Sequence, residues 1–172
     1  MKFSFPMTVS LVLAVLMHAD VPGQESTPPP PEMKVLERLV GTWRVENIGK
    51  VPEETRSTSI TKRELVLGGR FVQETGGPEK GKPTYMCMHT YDSSRKTYRW
   101  WFFHESGSCS ESTGTWDESS QTFTFTNRPG GGAMGVITLH FLDKNTLDFS
   151  WIVKDTGGKI SFQMEAKAVR QK

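Results

Sequence analysis

From Thr42 to Val169 apolar and polar residues alternate with a period of two, the spacing of strands whose successive side chains point to opposite faces of a sheet. The runs are Thr42–Ile48, Arg56–Leu67, Arg70–Thr75, Thr84–Tyr91, Thr97–Glu105, Cys109–Trp116, Thr122–Thr126, Met134–Leu142, Thr146–Val153 and Lys159–Val169. Turn-forming residues separate most of them: Gly68-Gly69, Gly76-Gly77-Pro78, Asp92-Ser93-Ser94, Asp117-Glu118-Ser119, Asp143-Lys144-Asn145 and Gly157-Gly158. Ten short strands joined mainly by hairpin-length turns predict an antiparallel meander. A meander this long must hide its edges, and closure into an up-and-down barrel is the economical way to do so.

The last three strands agree on one inner face. Leu147, Phe149, Trp151 and Val153 share a side, as do Ile160, Phe162, Met164, Ala166 and Ala168 on the next strand. A two- or four-residue loop within Asp155–Gly158 aligns these two sets, and a three-residue loop at Asp143–Asn145 adds Ile137, Leu139 and Phe141. The four consecutive aromatics Trp100, Trp101, Phe102 and Phe103 give both sheet faces a large apolar surface. One face meets the interior. For the other, cover by the N-terminal helix and linker is expected, with a partner protein as the alternative.

Ahead of the strands the period changes. Met33, Leu36, Leu39 and Val40 fall on one side of a short helix predicted over Glu32–Val40, with Gly41 as its stop. Residues 24–31 (QESTPPPP) read as a polyproline-type linker without packing potential. Residues 1–23 read as a signal peptide: Lys2 supplies a positive start, Met7–Met17 an apolar stretch, and Ala19 and Gly23 small residues for cleavage. That stretch is shorter than the roughly 20 residues needed to span a bilayer. The expected organisation is therefore an exported chain, secreted or periplasmic, with a single barrel domain over residues 32–172 and no membrane span once the signal is removed.

Composition narrows the partners. The formal net charge is +2 and hydrophobic residues make up 35% of the chain, too few for a membrane protein. No run of Lys and Arg tracks a phosphate backbone, which argues against nucleic acid. The two cysteines, Cys87 and Cys109, lie in strands separated by Thr97–Glu105. Two strands over is about 10 Å, beyond disulfide reach, so two free and mostly buried thiols are expected.

Gly41-Thr42-Trp43 directly after a short helix resembles the opening strand of lipocalins, in which the Trp plugs one end of the barrel. Leu39–Trp43, Glu64–Phe71, Tyr91-Asp92 and Ser112–Asp117 together resemble, over Glu32 to the C-terminus, a bacterial family of lipocalin-like proteins classed as a domain of unknown function. The chain is also similar to the nitrobindin-type haem barrels, which open with Gly-x-Trp and ligate iron through a His on the C-terminal strand. Here Ser161–Arg170 contains no His, so the resemblance implies the shape without the cofactor. The fold expected is all-β: a lipocalin-like antiparallel barrel of about ten strands with a short N-terminal helix.

His89, His104 and His140 lie on three separate strands, with no spacing that converges them on a metal, so no metal or cofactor is expected. His104 follows the aromatic run and ends a strand at the expected barrel mouth. Cys109 with His104 lacks the activating context of a thiol nucleophile, and no catalytic residue is assigned. Glu105 and Glu111 flank a turn and read as solvated charges. Pro129–Gly132 reads as a flexible loop, a candidate portal flap. The candidate barrel lining is Trp43, Trp100, Phe102, Phe125, Trp151, Phe162 and Met164, with Arg99 or His104 to orient a ligand. The function expected is binding of a small, largely apolar molecule. The alternatives are a protein partner on the outer aromatic face, or an enzyme using His104.

Overall fold

The computed structural model describes residues 27–172; the expected signal peptide and the start of the linker lie outside the described residues. The elements are α1 (Met33–Glu37), β1 (Gly41–Val51), β2 (Thr55–Val66), β3 (Phe71–Pro78), β4 (Tyr85–Asp92) and β5 (Thr97–His104). They continue with β6 (Cys109–Asp117), β7 (Thr122–Asn127), β8 (Met134–Phe141), β9 (Thr146–Lys154) and β10 (Ile160–Arg170). Each strand pairs antiparallel with its neighbours in sequence, and β1 pairs with β10 to close a ten-stranded barrel. The barrel expected from the period-two pattern is the barrel observed. No helix among the described residues is long and apolar enough to cross a membrane.

The β8–β9 register sets Ile137 opposite Trp151, Leu139 opposite Phe149 and Phe141 opposite Leu147, as the sequence pattern requires. The β9–β10 register sets Ala168 opposite Leu147 and Met164 opposite Trp151, but shifts between Ile160 and Phe162. That irregularity turns Ile160 outward to 37% exposure, so it leaves the inner set to which strict alternation assigns it.

The helix is shorter than Glu32–Val40 because its last turn tightens. The amides of Leu39 and Val40 bond three residues back to Leu36 and Glu37, and the Leu39 carbonyl accepts the Trp43 indole N–H at 2.7 Å. Met33, Leu36 and Leu39 are buried and plug one end of the barrel together with Trp43. Arg170 lies over the Trp43 ring at 4.2 Å and donates to the carbonyls of Val40, Arg38 and Lys144. One guanidinium thereby ties the end of β10 to the segment entering β1.

The helix does not cover the outer aromatics. It packs against β3 and β4 at the barrel end, while Phe103 stays 40% exposed beside Met86, its partner across β4 and β5. Trp101 is half-buried under the Arg99 guanidinium, 4.5 Å from its ring centre. The linker is also not free of contacts: Arg70 donates to the Thr27 carbonyl and hydroxyl, and Pro29 sits against Gly69.

Candidate functional site

Inward side chains of the strands leave a cavity of about 560 Å³ between the plug and the opposite barrel end. Leu39, Leu139 and Leu147 floor it. Trp100, Phe102, Phe149, Trp151, Phe162 and Met164 form apolar walls, and Asn47, Ser57, His104, Ser110 and Asn127 stand toward the mouth. The lining comes from both halves of the barrel, so the cavity exists only when the sheet closes.

Of the candidate lining residues, Trp100, Phe102, His104, Trp151, Phe162 and Met164 stand on this wall. Trp43 and Phe125 are fully buried but belong to the packed core beneath it: Trp43 to the plug, and Phe125 against Trp100, 5.5 Å between ring centres. Phe125 occupies the space left by Gly114, its cross-strand partner, where a Cβ would come within 2.7 Å of the ring. Arg99 is not in the barrel. Strand alternation puts it outside, where it pairs with Glu111 and lies 3.6 Å from Asp92. Glu111 is thus matched by Arg99 on the outer surface. Cys109 shares that outer phase and is exposed, so only Cys87 is a buried thiol; both are free. Pro129–Gly132 contributes nothing to the cavity wall. Its first residues border a separate outer groove with Trp101, Phe103 and Met134.

His104 stacks on Phe102, with ring centres 6.2 Å apart. Its Nδ1 accepts the Ser106 backbone N–H at 3.2 Å and lies 2.9 Å from the Ser106 hydroxyl. Among the described residues no carboxylate orients it as an acid–base pair would require. His140 is exposed on the outer surface.

The polar heart of the cavity is a group for which no role was read from the sequence. Arg63, Glu74 and His89 project inward from β2, β3 and β4 and are all buried. Arg63 Nε donates to Glu74 Oε2 at 2.7 Å, and His89 Nε2 lies 3.3 Å from the same oxygen. Tyr85 donates to Glu74 Oε1 at 3.1 Å and lies 2.9 Å from the Thr61 hydroxyl. Tyr85 reaches across β3 only because Gly76 faces it; a Cβ there would overlap the phenol ring.

Burial opposes ionisation of Glu74, yet Arg63 and then His89 hold its carboxyl well below the usual range. Burial also works against the Arg63 charge, and the Glu74 carboxylate outweighs it, raising the guanidinium pKa. Tyr85 and Cys87 are both pushed up, by burial first and by Glu74 second, which disfavours the Cys87 thiolate. The signal for the central pair lies in the turn. Arg63 and Glu74 are equidistant from Gly68-Gly69, and the β2–β3 register sets them directly opposite.

Glu74, Cys87 and His89 bring three potential metal-ligating atoms within 4.8 Å of one another. The donor set nevertheless does not suit a cation: Glu74 Oε2 is already held by the Arg63 guanidinium, and the Cys87 thiol is kept protonated. Haem fits no better. The inner face of β10 offers Phe162, Met164, Ala166 and Ala168, His89 is stacked on Trp100 with Nε2 at Glu74, and His104 stands at the rim.

The family match spans residues 28–170, essentially the whole barrel and its plug. The chain belongs to the DUF1579 family of proteins of unknown function. No curated protein sequence matches it. Its structure is similar to that of Rv2717c from M. tuberculosis, with a TM-score of 0.62 and 17% identity over 84% of this chain and 99% of that one. It is also similar to the S-type phycobiliprotein lyase CPES from Guillardia theta, with a TM-score of 0.58 and 15% identity over 81% of this chain and 92% of that one. At these identities the likeness is one of fold alone.

Proposed function

We propose that this DUF1579 protein binds a small, largely apolar molecule inside its barrel. The observation that carries the reading is the cavity of about 560 Å³ walled by Trp100, Phe102, Phe149, Trp151, Phe162 and Met164. Its size lies within the range of about 300–1,000 Å³ typical of small-molecule sites, and most of its lining surface is apolar, with polar side chains concentrated on β2, β3 and β4 and toward the mouth. Burying an apolar ligand there is favoured by about 25 cal/mol for each Å² removed from water.

A titration with the neutral fluorophore 1-N-phenylnaphthylamine tests this. One saturable site per chain is expected, weakened about tenfold in Met164→Trp, whose added ring occupies space beside Trp151. Binding that never saturates, or that Met164→Trp leaves untouched, places the probe on the surface and counts against the cavity.

The signal-like segment at residues 1–23 supports export, and with it a ligand met outside the cytoplasm. N-terminal sequencing of the mature chain is expected to begin between Asp20 and Ser26; an intact Met1 contradicts export with cleavage. A second reading, a protein partner on the outer face, draws on the adjacent exposed side chains of Met86 and Phe103. It requires a complex that Phe103→Ser abolishes, and a complex indifferent to that change would remove it.

A further inference from the structure

Resting on the cavity reading above, we propose that the ligand is uncharged and carries an amide-type group, a carboxamide or lactam edge, recognised by Asn127 and Trp151. Asn127 is the last residue of β7 and is only 5% exposed, yet both its Oδ1 and its Nδ2 lack a hydrogen-bond partner. The Trp151 indole N–H on β9 is likewise buried and unpartnered. Both side chains line the cavity. Buried polar atoms are nearly always paired; Arg63 Nη1, His89 Nδ1 and Trp100 Nε1 elsewhere on this lining are unpartnered too, but the three atoms of Asn127 and Trp151 are gathered at one backbone position, where they call for a partner from outside the chain.

Gly135 brings them together. It lies between the two strands, opposite Asn127 in β7 and Val153 in β9. A Cβ at this position would overlap Asn127 Oδ1 and come within 3.0 Å of Trp151 Nε1. The bare backbone of Gly135 is therefore the seat over which both polar groups lean.

The donor and acceptor inventory selects the chemistry. Asn127 offers an acceptor and two donor hydrogens on neighbouring atoms, and Trp151 adds one donor. A carbonyl oxygen answers the N–H groups, and an N–H beside it answers Oδ1, which is the arrangement of an amide edge. A carboxylate supplies only acceptors and leaves Oδ1 facing negative charge.

Charge points the same way. The charged side chains lining the cavity, histidines aside, are Arg63 and Glu74, and they are bonded to each other at 2.7 Å. The pair carries no net charge to offset an ionic ligand, although Arg63 Nη1 is itself buried without a partner on that side of the barrel, and an unpaired ion is costly to bury. The pair projects from β2 and β3, across the barrel from the β7–β9 wall, which separates this ion pair from the amide station. Trp151 also packs edge-on against Phe162, ring centres 4.9 Å apart, giving the station an aromatic wall for a flat ring.

Isothermal titration with 2-naphthamide, 2-naphthoate and 2-methylnaphthalene at pH 7.5 tests the proposal, with one ring carrying an amide, an acid or a methyl group. The amide is expected to bind about tenfold tighter than either of the others, the worth of one or two net hydrogen bonds. Asn127→Ala and the conservative Trp151→Phe, which keeps the ring and deletes the N–H, are each expected to erase the difference between amide and hydrocarbon. Naphthoate binding as tightly as naphthamide overturns the proposal, as do variants that weaken all three probes alike. Methylnaphthalene bound with no preference for the amide defeats this inference and leaves the cavity reading standing. If none of the three binds, both fall.

Discussion

The two ends of the barrel are built to different standards of completion. At the helix end Met33, Leu36, Leu39 and Trp43 are at most 1% exposed, the Trp43 indole is bonded to Leu39, and Arg170 is bonded to the carbonyls of Arg38, Val40 and Lys144. On the wall leading to the mouth Trp151 is half-buried, while the amide of Asn127 and the indole N–H of Trp151 go without partners. Closing one end fully stabilises the fold. Leaving the other short of polar partners costs stability, and such departures from local consistency concentrate where a protein functions.

The helix end should therefore lose most when a side chain is cut. Trp43→Ala removes a buried ring, its hydrogen bond to Leu39 and the seat for Arg170, and is expected to cost about 3–5 kcal/mol in chemical denaturation. A loss under about 1 kcal/mol would mean that this end is not the anchor of the fold.

Midway along the barrel sits the paired charge. Glu74→Gln strands Arg63 without its carboxylate and is expected to cost about 3 kcal/mol. The pH dependence follows from the same ion pair. The Glu74 pKa is depressed in the folded state, so its contribution is complete above the unfolded carboxyl range, begins to fall at about pH 5 and is lost as pH drops through the lower folded-state pKa. The stability of Glu74→Gln should fall less over that interval. Equal acid sensitivity in the two proteins would remove Glu74 as a cause.

At the mouth the expected effect is smallest. Asn127 makes no hydrogen bond in the free protein, so Asn127→Ala should shift stability by less than about 1 kcal/mol in either direction. A loss of 2 kcal/mol or more would show that its amide is satisfied after all and that the contrast between the ends is wrong.

The frame of the barrel was legible in the sequence, and the contrast between its ends was hidden for a physical reason. Period-two alternation is set by the backbone, so ten strands, closure and the inner phase of Trp100, Phe102, Trp151 and Met164 could be read directly. Reading stopped where polarity and direction disagree. Arg63, Glu74 and Asn127 are polar residues in the inward phase, a combination that alternation alone assigns to the surface. Arg99 is the opposite case: named with His104 as a residue to orient a ligand, it is turned by the same alternation out toward Asp92 and Glu111. The link between His89 and Glu74 is not visible in the sequence, because the two lie 15 positions apart and meet only through the β3–β4 register. Ile160 departs from the inner set because a local irregularity breaks the period just there.

The five tryptophans are placed to decide where a ligand goes. Trp100 and Trp151 line the cavity, Trp43 and Trp116 pack at the helix end, and Trp101 lies on the outer face beneath Arg99. Each indole N–H gives its own signal in a proton–nitrogen correlation spectrum, and 1-N-phenylnaphthylamine can be titrated against all five at once. The account predicts that the Trp100 and Trp151 signals move and saturate together while the Trp43, Trp116 and Trp101 signals hold still. Movement of Trp101 with Trp100 and Trp151 unchanged would contradict it, because the ligand would then sit on the outer sheet and not inside the barrel.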